Sequence, residues 1–254
     1  MPSKRLRIFA GPNGSGKSTI YSFIDKEIGC PYFVNADEIQ KKISQKGILN
    51  FDKYAITIEK ESFVEALQNS SWTVHISQLD SLIESIKVND NKLYVPCEYI
   101  DGYFSAFVAD YIRNNMLNIV PQFTIETVLS DKRKLNYIQC AKDLGYRIYL
   151  YFVSTKDVQI NIKRVAQRVE QGGHNVPTNK IENRYYRSLE NLYDTIKLCD
   201  RAYLFDNSEE QWKYLAEFDK DTLILHEDTI PAWLDEYLLS KMTFLMNNNI
   251  ANSK

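Results

Sequence analysis

The chain has 254 residues, 44% of them hydrophobic, which is enough for a sizeable core and excludes a small scaffold held by disulfides or metal. Its 31 basic and 33 acidic side chains are mixed along the sequence and leave a net charge of −2, so no broad electropositive field for a nucleic-acid backbone is expected. Four widely separated cysteines (Cys30, Cys97, Cys140, Cys199) and three histidines include no C-x-x-C pair, which argues against structural zinc or a disulfide framework. The N-terminal "MPSKRLRIFA" lacks the apolar run of a signal peptide, and no segment approaches the roughly 18 apolar residues of a membrane span. A soluble, cytoplasmic protein with reduced thiols is expected, with neither membrane nor nucleic acid as its partner.

The first expected element is a strand at "RIFA", residues 7–10, which runs through a glycine-rich loop into a helix. Gly11, Gly16, Lys17 and Ser18 fill the pattern G-x-x-x-x-G-K-[ST], and it sits between a buried strand and a helix, as phosphate binding requires. Gly11, Pro12, Asn13, Gly14, Ser15, Gly16, Lys17, Ser18 and Thr19 are therefore the candidate nucleotide-binding residues. Backbone N–H groups would wrap the β-phosphate at the positive end of the helix. Lys17 would contact the β- and γ-phosphates and Ser18 would ligate Mg²⁺. ATP or GTP with Mg²⁺ is the expected ligand, but the loop alone does not separate a kinase from an ATPase, a GTPase or a motor.

The second strand, "YFVNA" at 32–36, leads into "DEI". Asp37 falls just past the strand, where a carboxylate can accept the proton of an attacking hydroxyl. Its alternative is helix capping, by Asn35 or by Asp37 itself. Glu38, one residue further on, more simply favours the helix dipole.

From here to the strand "QFTIET" at 122–127 the chain is far longer than the dozen or so residues of an ordinary crossover, so an insertion is expected at about 50–100. Helical periodicity appears at 57–68, 78–87 and 102–118, with a turn-rich "VNDNK" at 88–92 followed by a strand-like "KLYVP". The aromatic residues Phe51, Tyr54, Phe63, Trp72, Tyr94 and Tyr99 read either as a satellite core or as anchors for a protein partner.

"YRIYLYFVS" at 146–154 is the next strand, near-continuously apolar as a strand buried on both faces should be. Val158, Ile162, Val165 and Val169 then stack on one face of a helix at 156–170, with Ser154 and Asp157 as a candidate capping box. Arg164 and Arg168 share its flank at i,i+4 spacing. "EQGGHNVP" follows as a candidate flap. A helix at 179–198 buries Ile181, Tyr185, Leu189, Leu192 and Ile196, with Arg184 at the margin and Arg187 solvated. Guanidinium groups closing on a γ-phosphate are worth ~10³ or more in rate. His174 reads as a loop-fixing side chain. Strands follow at "RAYLFD" (201–206) and "TLILHED" (222–228), and the tail "NNNIANSK" (247–254) reads as disordered.

These elements predict a single α/β domain over 1–254, a phosphate-loop, kinase-like parallel sheet flanked by helices with a mostly helical insertion. No N-K-x-D motif supports a GTPase. An ATPase remains open, with Glu126 of "FTIET" as the magnesium-side acid.

"GPNGSGKST", "NADEI", "FTIETVLS", "GYRIYLYFVST", "RVAQRVEQGGHNVP", "NRYYRSLENL" and "YLFDNS", in this order, resemble the zeta toxin family of phosphate-loop kinases over roughly residues 5–50 and 101–210. The resemblance implies transfer of a γ-phosphate to the 3′-hydroxyl of UDP-N-acetylglucosamine, with a separate antitoxin chain as partner. It makes Lys17 the phosphate-loop lysine, Asp37 the general base, Glu126 and Thr127 the strand-end pair near the acceptor, and Arg164 or Arg168 with Arg184 the lid arginines. The insertion has no counterpart in the compact toxins, so a kinase of another small hydroxyl acceptor, or an ATPase whose insertion binds a protein, are the alternatives.

Overall fold

The computed structural model describes residues 3–172, 175–220 and 222–242. Packing divides the chain into two compact units, Met1–Cys30 with Thr127–Lys254, and Pro31–Glu126. The first unit opens with β1 (Arg5–Ala10), buried from Leu6 onward, and α1 (Lys17–Ile28). Gly29, at φ 64°, ends α1 by donating its N–H to the Asp25 carbonyl at 2.9 Å, the usual way a glycine closes a helix.

The second unit contains β2 (Phe33–Val34), α2 (Ala36–Lys46), β3 (Ile48–Asn50), α3 (Lys60–Gln68), α4 (Leu79–Ser85), β4 (Lys87–Asn89), β5 (Lys92–Tyr94), α5 (Gly102–Ile119) and β6 (Gln122–Thr127), whose last residue belongs to the first unit. β2 runs parallel to β6, with Phe33 opposite Thr124 and Val34 opposite Ile125. The insertion expected to be mostly helical also carries a three-stranded antiparallel sheet in the order β3-β5-β4. Its strands are three residues each; β5 lies within the expected strand-like "KLYVP", whereas β3 and β4 are too short to show a period-2 pattern. Asp90 and Asn91, both at positive φ, make the two-residue turn between β4 and β5.

The aromatic residues of the insertion divide accordingly. Phe51, Tyr54 and Phe63 are buried, and Phe63 meets Phe107 and Tyr111 of α5 edge-on at 5.2 and 5.0 Å, so these three form core. Burial and the nearby Glu38 carboxylate push the Tyr54 phenol up to about 12. Trp72 is half-buried and donates its indole N–H to Asp110 at 2.9 Å.

The chain then returns to the first unit with α6 (Arg133–Asp143), β7 (Arg147–Ser154), α7 (Val158–Glu170), α8 (Thr178–Glu190), α9 (Leu192–Ile196), β8 (Arg201–Asp206), β9 (Lys213–Asp219), β10 (Thr222–Leu225) and α10 (Ala232–Leu234). Within this unit the strand order is β10-β9-β8-β7-β1, with β1, β7 and β8 mutually parallel and β9 antiparallel to both β8 and β10. Leu6, Ile8, Leu150, Phe152, Ala202 and Leu204 are fully buried in this sheet.

Three expectations need correction. Asp157 caps α7 by accepting from the Gln159 N–H, whereas Ser154 ends β7, so the expected capping box is out of register by one turn. The helix expected at 179–198 breaks at Asn191 into α8 and α9, although Ile181, Tyr185, Leu189, Leu192 and Ile196 are all buried as the periodicity required. The strand β9 was not expected, since "KYLAEFD" mixes charges into an edge-side strand. His174 and the tail 247–254 lie outside the described residues.

Candidate active site

In the first unit the site is built on the loop between β1 and α1. Lys17 is buried, and its ammonium reaches back over the loop to the carbonyls of Gly11 and Pro12 at 3.0 and 3.1 Å. The Ser15 hydroxyl is fully buried and has no hydrogen-bond partner among the described residues. Such a donor is costly to leave unsatisfied, so its position in the loop fits a bound anion. Ser18 stands exposed on the first turn of α1, whose N-terminus supplies the positive end of the helix dipole. The donor set of the loop thus fits a polyphosphate, and Ser18 offers the hydroxyl a magnesium ion would take.

Of the three candidate arginines, one bonds this loop and a second bonds Asn207, which itself bonds the loop. Arg184 of α8 donates to the Asn13 side-chain oxygen at 3.3 Å. Arg164 of α7 donates to the main-chain carbonyl of Asn207, just past β8, at 2.6 Å. Arg168 is half-buried one helical turn beyond Arg164, and Arg187 is exposed as expected. The apolar contact that holds α7 against α8 is made by Val165, Val176 and Ile181, with Ile162 and Val169 at its edge. Tyr185 fixes α8 from below by donating its hydroxyl to the Thr155 carbonyl at 2.6 Å, and burial raises its pKa well above the ordinary phenol value.

The segment that leaves β6 is held from the same helices. Ser188 donates to the Val128 carbonyl at 2.7 Å and Asn191 to that of Leu129 at 2.9 Å. Leu129 is buried at φ 62°, a strained conformation for a branched side chain that these two bonds maintain. Thr127 accepts the Leu129 N–H at 3.2 Å and so serves the turn itself.

In the second unit, Asn35 resolves the capping question. Its side-chain oxygen accepts the Glu38 N–H at 3.1 Å, capping α2, while its amide donates to Glu126 at 2.6 Å. Asp37 is exposed on the first turn of α2 and is not the cap. Glu38 pairs along the helix with Lys42 at 3.2 Å.

Sequence reasoning overlooked Asn161 and Asn207. Asn161 is completely buried on α7 and donates to the Asn13 carbonyl at 2.6 Å; Asn207 donates to the Ser15 carbonyl at 2.9 Å. A signal for the first existed: Asn161 lies three residues after Val158 on the face that the valines bury. Among the described residues no helix is long and apolar enough to cross a membrane.

No family model matches the chain. It is 23% identical over 177 residues to an uncharacterized protein of Haemophilus influenzae, a match spanning 70% of this chain and 89% of that one. Among solved structures, AvrRxo1-ORF1:AvrRxo1-ORF2 with sulphate ions matches with a TM-score of 0.58 and 15% identity over 92% of this chain, and the same complex with ATP with 0.57 and 14% over 88%. The chain spans 63% and 61% of the length of those two chains. The PezAT chromosomal toxin–antitoxin system of Streptococcus pneumoniae matches all of this chain and 88% of that one, at 13% identity and a TM-score of 0.49. The likeness to the AvrRxo1 complexes establishes the fold, an α/β architecture of mostly parallel strands flanked by helices.

Proposed function

We propose that the protein is a kinase that transfers the γ-phosphate of ATP or GTP to a hydroxyl of a small molecule, a UDP-activated amino sugar such as UDP-N-acetylglucosamine. The observation that carries this reading is the gathering at one phosphate loop of buried Lys17, a buried Ser15 hydroxyl that no described residue partners, Arg184 bonded to the loop and Arg164 bonded to Asn207, which braces it. Simple nucleotide holding needs only the loop. Guanidinium groups beside it supply what phosphoryl transfer needs, positive charge for the equatorial oxygens of the transferring group.

In this mechanism Gly11 to Thr19 hold the triphosphate, Lys17 neutralises the β- and γ-phosphates, and Arg164, Arg168 and Arg184 stabilise the charge that develops on transfer. Magnesium, when bound at Ser18, neutralises phosphate charge. The acceptor oxygen attacks the γ-phosphorus, the bond to the β,γ-bridging oxygen breaks, and the hydroxyl proton passes to the Asp37 carboxylate. Glu126, oriented by Asn35, and Thr127 serve the acceptor. A separate antitoxin-like chain is part of the proposal, supported by the two-component AvrRxo1 complexes. A cytoplasmic location follows from the nucleotide requirement.

The test is transfer of labelled γ-phosphate from ATP and GTP to a panel of UDP-sugars and nucleosides by wild type, Lys17→Ala and Asp37→Asn. Label on a UDP-amino sugar with wild type alone supports the reading. Phosphate released to water at one rate with or without acceptor, and unchanged in Asp37→Asn, would replace it with an ATPase.

A further inference from the structure

We infer that Asn161 and Asn207 are positioning residues that set the phosphate loop in its anion-binding form, each by holding one loop carbonyl outward so that the next N–H faces the phosphates. The inference rests on the nucleotide reading of the loop and assigns it a mechanism that the loop sequence does not contain.

The argument starts from peptide geometry. All peptide bonds in the described residues are trans, and in a planar trans peptide the C=O of one residue and the N–H of the next point in opposite directions. Asn161 Nδ2 holds the Asn13 carbonyl, which fixes the Gly14 N–H on the opposite side. Asn207 Nδ2 holds the Ser15 carbonyl and fixes the Gly16 N–H likewise. Gly14 and Gly16 lie at φ 77° and 92°, and successive amides in such a conformation form the concave nest that takes an anion.

Both asparagines are anchored from behind. Thr155 Oγ1 donates to Asn161 Oδ1, which leaves the amide no choice but to offer its N–H groups to the loop. Arg164 grips the Asn207 main chain. The clamp also explains two glycines in physical terms. A Cβ on Gly14 would stand 2.5 Å from the Asn161 carbonyl oxygen, and one on Gly16 would stand 1.9 Å from Asn207 Nδ2. The loop is thus glycine-rich where the asparagine-bearing segments press on it. Because Asn161 and Arg164 sit one turn apart on α7, the same contact that shapes the loop also sets the arginine beside it.

The experiment uses the full chain and inorganic tripolyphosphate, a probe with no base or sugar. Affinity is measured by calorimetry, and the Gly14 and Gly16 amide resonances are followed by NMR. In wild type both amides should shift downfield on binding. Asn161→Ala should lose the Gly14 shift and keep that of Gly16, Asn207→Ala should do the reverse, and each should weaken binding about tenfold or more. Asn161→Asp, which keeps size and the Thr155 contact but has no N–H to donate, and Thr155→Val, which never touches the loop, give the same Gly14 signature should the alanine variant fail to fold. Variants that bind as wild type, or that lose both shifts together, overturn the clamp alone. A wild type that binds neither tripolyphosphate nor ATP overturns the nucleotide reading, and the clamp with it.

Discussion

Arg164 donates to the main-chain carbonyl of Asn207 at 2.6 Å, whereas Arg184 reaches only the side chain of Asn13, at 3.3 Å. The two arginines therefore stand differently toward stability. A charged hydrogen bond to a carbonyl is worth about 1.5–3 kcal/mol, so Arg164→Ala should lower Tm by about 3–12 °C in a chain of this size. Arg184→Ala should leave Tm nearly unchanged. Both should lower kcat about 100-fold or more, since each removes positive charge next to the phosphate loop. Thermal denaturation beside single-turnover kinetics separates the effects, and equal Tm losses would contradict the assignment.

Gly16→Ala should weaken nucleotide binding by at least about tenfold and destabilise the fold by about 1–2 kcal/mol, because it adds a Cβ at φ 92° and into Asn207 Nδ2. The two causes are separable. Asn207→Ala removes the steric partner but not the backbone strain, so the double variant should be more stable than the sum of the single losses predicts. A double-mutant cycle by urea denaturation measures this, and strict additivity would show that the collision does not matter.

Asn35 does two jobs, capping α2 and donating to Glu126, so Asn35→Ala should cost about 1–2 kcal/mol, a Tm loss of about 2–8 °C. Asn35→Asp keeps the cap but sets a carboxylate against Glu126. Its stability should fall short of wild type near neutral pH and recover toward it as Glu126 is neutralised by Glu126→Gln. A double variant no more stable than Asn35→Asp would count against the Asn35–Glu126 bond.

The strands β1, β6, β7 and β8 and the motif loop were legible in the sequence because each depends on local pattern. "QFTIET" and "RAYLFD" match β6 and β8 residue for residue, and the valine stripe of α7 packs as read. What escaped is what local pattern does not encode. The strands β3 and β4 are too short for a period, whereas β5 falls within the strand-like "KLYVP", and Asn191 breaks a helix whose buried stripe continues across the break. The roles of Asn161 and Asn207 depend on partners 148 and 192 residues away. Asn35 and Asp37 were both legible as caps, and only the observed bond to the Glu38 N–H separates them.

Phe63 is fully buried between Phe107 and Tyr111, so Phe63→Ala should cost about 3–5 kcal/mol, through the cavity as well as the lost transfer energy. Val74 in the same unit is 80% exposed, and Val74→Ala should change stability by less than about 0.5 kcal/mol. Urea denaturation of both variants checks this. A small loss for Phe63→Ala would return the insertion aromatics to the role of partner anchors.

Tyr185 gives the site a pH dependence of known sign. Burial, then the neighbouring Tyr186, Asp157 and Asp206, raises its pKa above the ordinary value of 10.0, while its hydroxyl donates to Thr155. In the unfolded chain the phenol ionises near pH 10; in the folded chain it stays protonated beyond that point. Its contribution is therefore full below pH 10 and is lost as pH rises from there toward the folded pKa, because only the unfolded state then sheds the proton. Tyr185→Phe should be less stable than wild type by about 1–2 kcal/mol at neutral pH, having left the Thr155 carbonyl without its donor. That gap should hold constant to about pH 9.5 and narrow above pH 10. Taking the difference between the two proteins cancels the other tyrosines, including Tyr54 and Tyr151, which burial also raises. Urea denaturation of the pair across this range reads the gap directly. A gap that stays constant through about pH 11 would mean that Tyr185 titrates alike folded and unfolded, and that the hydroxyl does not secure α8 beneath the arginine it carries.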